Sequence, residues 1–100
     1  MQHLYLTYNL NITQDNQMLL TEAKQSIFDV LSKISSCELG EIGDNTNLIE
    51  GGYLDSLDSM TFVFELENKL GIKFPEKILF DESFFQISFL TNCVVTLKGL

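Results

Sequence analysis

One hundred residues leave room for one domain, and a chain of that size buries roughly 60–70% of its extended surface, enough for a single core. A hydrophobic share of 45% with 20% charged residues excludes a disordered chain, and no apolar run approaches the roughly 18 residues of a membrane span. The formal net charge of −8 argues against nucleic acid and anionic membrane as partners, because both repel such a surface.

The charge has a location. Between Lys33 and Lys69 there is no base, while Glu38, Glu41, Asp44, Glu50, Asp55, Asp58, Glu65 and Glu67 make eight acids. Such a stretch steers basic protein surfaces toward itself, or it is a solvated face that keeps the chain soluble. Residues 1–16 lack the basic-then-apolar order of a secretory signal, so the expected location is cytoplasmic. Cys37 and Cys93 lie far apart and outside any CxxC pair. With one histidine they make no zinc set, and the expectation is two reduced thiols and no metal.

In chain order, Leu4, Leu6, Tyr8, Leu10 and Ile12 alternate with polar residues, a strand-like period with no evident partner. Residues 1–17 are therefore set apart as an N-terminal extension of uncertain structure, or as sequence ahead of a start at Met18. A helical domain is expected over 18–100. Leu20, Ala23, Ile27, Val30, Leu31 and Ile34 form one helical stripe, which predicts an amphipathic helix from about Met18 to Ile34. Residues 35–54 lack periodicity and carry Gly40, Gly43, Asn45, Asn47, Gly51 and Gly52. They read as a long loop anchored by Leu48 and Ile49, of a length that is often functional.

A second helix should run from Ser56 to Leu70, with Asp55 as cap, Asp58 in the first turn and Gly71 as stop. Pro75 biases Phe74 away from helix. A short turn of helix near Glu76 to Phe80 and a last helix from about Gln86 to Leu97, with Ile87, Leu90, Val94 and Leu97 on one side, complete the chain. The expected fold is all-α: three substantial helices plus a short one, a small four-helix bundle.

The second helix carries two apolar stripes. Phe62, Val63, Leu66 and Leu70 suit a core; Leu57, Met60 and Phe64 lie elsewhere. The second stripe is either a partner surface rimmed by charge or a second buried side. At the helix start, Ser56 places a primary hydroxyl where free amides and the helix dipole suit a phosphate, although a serine there is commonly just a cap.

The run from Leu48 through Gly51-Gly52-Tyr53-Leu54-Asp55-Ser56-Leu57-Asp58 resembles the attachment segment of acyl and peptidyl carrier proteins. Phe62, Val63, Leu66, Glu67, Leu70, Gly71-Ile72, Phe74-Pro75, Phe84, Ile87 and Leu90 extend the likeness in one register over about 20–97. The resemblance implies a four-helix carrier domain that catalyses nothing. Ser56 would take a covalent 4′-phosphopantetheine from coenzyme A by way of a phosphopantetheinyl transferase, and the arm would hold an acyl or aminoacyl group as a thioester. Asp55 and Asp58 would meet basic residues of the transferase, and Leu57, Met60, Phe64 and Glu67 would dock partners. Ser59 repeats part of the motif, but placing the arm there shifts Leu66 and Leu70 off the core register. Thr61 and Asn68 stand where fatty-acid carriers have acids, and the Gly-Tyr-Leu-Asp-Ser-Leu spelling looks more like stand-alone carriers served by a dedicated adenylating ligase, such as D-alanyl or other aminoacyl carriers, which favours an aminoacyl or specialised acyl pathway over bulk fatty-acid synthesis. The expected partners are an adenylating ligase or an acyl synthase or transferase with a basic docking surface, and the chain is expected to be a monomer.

Two other readings remain. An unmodified acidic adaptor that binds a basic partner accounts for the charge and the second stripe. A calcium loop over Asp44 to Asp55 fails because Leu48 and Ile49 stand where a ligand and a glycine are needed. No nucleophile has a histidine near it in sequence, and His3 reads as a surface residue, so no catalytic residue is expected.

Overall fold

The computed structural model describes residues 20–35 and 38–99. The alternating segment 4–12, the expected helix start at Met18 and Cys37 lie outside them. The apolar stripe of the first helix, α1 (20–34), is buried at Ala23, Ile27, Val30 and Leu31. Leu20 departs from the expectation: it is 39% exposed, because the stripe meets the core only from the second turn onward.

The second helix, α2, spans Ser56–Leu70 as its caps dictate. The Asp55 side chain accepts a bond from the Asp58 amide at 2.7 Å, answering one of the orphan donors at the helix start. At the other end Gly71 takes φ 66°, and its amide bonds the Glu67 carbonyl, the left-handed stop that glycine makes at low cost. Phe62 and Leu66 are fully buried, each stabilising the fold by roughly 1.5–3 kcal/mol through area removed from water. Pro75 caps a short helix, α3 (Glu76–Leu79), in which no residue is buried. The last helix, α4 (Ile87–Lys98), begins one residue later than the pattern suggested, because Gln86 is extended at ψ 132° and serves as its N-cap.

One core unites these elements. Ile27 and Leu31 of α1, Phe62 and Leu66 of α2, and Ile87, Leu90 and Val94 of α4 pack with Leu48, Leu54, Phe74 and Phe84 from the connections. Edge-on aromatic contacts tie the connections together: Phe74 to Phe84 at 5.1 Å and Phe84 to Phe85 at 4.9 Å between ring centroids, geometries that add to plain area burial. Thr91 is a buried polar residue, and its hydroxyl donates to the Ile87 carbonyl. Among the described residues no buried side-chain polar atom lacks a partner.

The long loop is strapped to α4 rather than hanging free. The Leu48 amide donates to the Phe85 carbonyl, and the Ile87 and Ser88 amides donate to the Thr46 and Asp44 carbonyls. The loop backbone thereby satisfies the first amides of α4, which has no side-chain cap. Asn47 and Gln86 form an isolated antiparallel bridge; among the described residues the architecture is otherwise helical. Leu48 anchors the loop as expected, fully buried, but Ile49 does not, being 39% exposed. The turn that follows rotates it outward. No helix of the described residues is long and apolar enough to cross a membrane.

Candidate functional site

The loop ends in a turn built to aim the start of α2. The Asn47 side-chain oxygen accepts from the Ile49 and Glu50 amides at 2.9 and 3.0 Å, a side-chain-made turn typical of asparagine. The Gly51 amide then bonds the Asn47 carbonyl at 2.8 Å, and the Tyr53 and Leu54 amides both bond the Leu48 carbonyl. A Cβ on Gly51 would stand 2.9 Å from that Asn47 oxygen and 3.0 Å from the Tyr53 ring, and Gly52 sits at φ +81°. Each glycine is thus required, one by close approach and one by backbone conformation. With Leu48 and Leu54 both in the core, Asp55 and Ser56 emerge from a fixed base.

Ser56 is the first residue of α2 and is exposed. Its own amide and that of Leu57 precede the first intrahelical bonds. The helix start therefore presents a primary hydroxyl among free donors at the positive end of the dipole, a setting worth about 0.3–1 kcal/mol to an attached phosphate. Ser59 is different in both respects. It is 8% exposed, and its hydroxyl donates to the Ser56 carbonyl at 2.7 Å.

The outward row of α2 is prominent: Leu57 is 77%, Met60 72% and Phe64 61% exposed. It is not a second buried side. Asp55 is exposed and Asp58 half-buried beside it. Glu67 stands apart from the rest of the expected partner-facing set. It is half-buried, and its Oε2 accepts from the Phe74 amide at 2.8 Å. That bond spans seven residues and holds the link to α3 against α2, so this carboxylate has a structural duty within the fold.

A family model described as "Phosphopantetheine attachment site" matches residues 25–83, more than half of the chain. The chain belongs to that family. It is a carrier protein of the acyl and peptidyl carrier kind, a carrier of acyl or aminoacyl groups and not an enzyme. The D-alanyl carrier protein 2 of Lactiplantibacillus plantarum is 31% identical over 58 residues, which cover 58% of this chain and 71% of that one. No solved structure matches. The matched span holds the aiming turn, α2 and α3, and stops short of α4, although α4 supplies Ile87, Leu90 and Val94 to the carrier's core.

One surface residue of the carrier has no counterpart in the sequence reading. Phe80, the C-cap of α3, is 84% exposed. With Met60 and Phe64 of α2 and Leu79 of α3 it borders a groove of about 520 Å³ floored by Val63 and Phe85. Four residues of helix are too few to show a periodicity, so the pattern could not say which way Phe80 points. Its chemical type alone was a signal: a large aromatic at the end of a helix with no buried residue must either fold back or stand in solvent.

Proposed function

We propose that Ser56 takes a 4′-phosphopantetheine from coenzyme A, and that the loaded chain shuttles acyl or aminoacyl groups between partner enzymes. The observation that supports this choice of residue is the contrast between the two serines of the motif: Ser56 exposed with its hydroxyl at the helix start, Ser59 buried with its hydroxyl donating to the backbone. In the loading step the Ser56 hydroxyl loses its proton and Oγ bonds the β-phosphorus of coenzyme A. The pyrophosphate bond breaks, and adenosine 3′,5′-bisphosphate leaves. The arm, when present, supplies a terminal thiol that holds the cargo as a thioester.

The remaining duties belong to this chain's own surface. Asp55 caps α2 and, with Asp58, gives the start of the helix a negative rim that attracts a basic transferase. Leu57, Met60 and Phe64 are the apolar contacts for that transferase and for the enzymes that load and unload cargo. An aminoacyl cargo delivered by an adenylating ligase is favoured over bulk fatty acyl groups, because the relative it resembles is named for D-alanine. The carrier unit is taken as residues 18–100, with 1–17 as an extension, working as a monomer in the cytoplasm.

Intact-protein mass after incubation with coenzyme A, magnesium and a broad-specificity phosphopantetheinyl transferase tests the assignment. The expected result is a gain of one phosphopantetheinyl group in the natural sequence and in Ser59→Ala, and none in Ser56→Ala. A folded, initially unmodified chain that gains nothing would overturn the reading and favour an adaptor that binds a basic partner without modification.

A further inference from the structure

The connection from α2 to α4 changes character part-way along. Its first half is tied to α2 through one residue. The Glu67 carbonyl accepts from the Gly71 and Ile72 amides, and its carboxylate Oε2 accepts from the Phe74 amide at 2.8 Å. A hydrogen bond to an ionised acceptor is among the stronger kinds.

Beyond Phe74 these ties end. Among the described residues, the hydrogen bonds of 76–83 all close within 75–86. The Leu79 amide donates to the Pro75 carbonyl, Phe80 to Glu76 and Asp81 to Ile78, while the Ser83 amide donates to the Asp81 side chain. None of residues 75–83 is buried; Ile78 and Leu79 pack against the core from its edge. The two ends are pinned together instead. The Phe74 and Phe84 rings are both in the core, edge-on to one another at 5.1 Å. A compact surface loop with close ends and bonds of its own is a natural unit of local opening.

Apolar space lies on both sides of this segment. Leu79 and Phe80 border the groove of about 520 Å³ beside Met60 and Phe64. Ile78 borders a second groove of about 430 Å³, whose other lining residues belong to α4. The segment thus stands as a partition with room on either side. Glu67 lines the first groove as well, so one side chain borders that space and bonds the hinge. From the internal bonding, the lack of burial and the paired rings, we propose that residues 75–83 open as one lid about the Phe74–Phe84 base and that Glu67 is its latch. Latched, the lid holds Leu79 and Phe80 as the far wall of the groove beside the α2 row; released, it withdraws that wall. Glu67 is then a positioning residue, which acts on the groove through the Phe74 amide. The proposal concerns the unmodified chain and stands whether or not Ser56 takes the arm.

Amide hydrogen exchange on the whole chain reads the latch. In urea too dilute to unfold the chain, the Phe74, Leu79 and Phe80 amides are expected to share one protection level, at least about a hundred-fold below that of Leu90 in α4. Glu67→Met keeps the bulk and removes the acceptor, and is expected to lower that shared level about ten-fold. Glu67→Gln keeps an oxygen there and is expected to lower it about three-fold or less. Protection at Leu90 shows that each variant remains folded. Of the three amides only that of Phe74 bonds Glu67, so a matching fall at Leu79 and Phe80 is what an isolated bond would not produce. A fall confined to Phe74, equal falls in the two variants, or Leu79 and Phe80 as protected as Leu90 would each overturn the proposal. Should Glu67→Met not fold, the unaltered chain decides: a common level for the three amides supports the lid, and unequal levels overturn it.

Discussion

The two apolar rows of α2 are made of the same kinds of residue and lie in opposite surroundings. Phe62 and Leu66 are wholly buried, while Leu57, Met60 and Phe64 are between 61% and 77% exposed. The difference is where each row points once Asp55, Gly71 and the Gly51-Gly52 turn have set the helix in place. Exposed apolar surface of this size is a liability unless a partner covers it, which supports the proposal that the outer row is a docking contact. The helix face, and not hydrophobicity, separates the two.

That comparison can be tested by truncating each row. Phe62→Ala should cost about 3–5 kcal/mol of unfolding free energy, because the helices around it cannot fully collapse onto the cavity; urea titration reads the loss. Gly51→Ala should come next, at roughly 1–3 kcal/mol, as its Cβ meets the Asn47 carbonyl and the Tyr53 ring. It should also slow modification of Ser56 by shifting the turn that presents it, which initial rates of mass gain would show. Asp55→Ala should cost about 1 kcal/mol through the lost cap, seen as a lower melting temperature with α2 otherwise intact. Smallest in stability are Leu57→Ala and Phe64→Ala, expected within about 0.5 kcal/mol of the parent while turnover by partner enzymes falls clearly. If either destabilises the chain as much as Leu66→Ala does, the outer row is core and the contrast disappears.

The α2 region was legible in sequence because its ends are written in single residues. An aspartate that can cap, a glycine that can take positive φ and a proline after the stop each have one local reading. Leu48 was legible as an anchor, but Ile49 was not, since which of two adjacent aliphatic residues turns inward depends on the Asn47 turn and its hydrogen bonds. The half-buried bond of Glu67 to the Phe74 amide joins residues seven apart, beyond any helical spacing, so its structural duty had no local signal. Phe80 was missed for a related reason: α3 is four residues long, and orientation there is set by tertiary packing. The difference between Ser56 and Ser59 was argued from register, and the geometry adds a physical distinction that register lacks, namely an exposed hydroxyl against a buried, bonded one.

The most direct measurement is fragmentation mass spectrometry of the peptide that contains both serines, taken from the unaltered chain after transferase and coenzyme A treatment. Fragments that end between Ser56 and Ser59 place the added mass. The account predicts that every fragment containing Ser56 carries the phosphopantetheinyl group and that those containing only Ser59 do not. The group on Ser59, or its absence from a folded and treated chain, would contradict it.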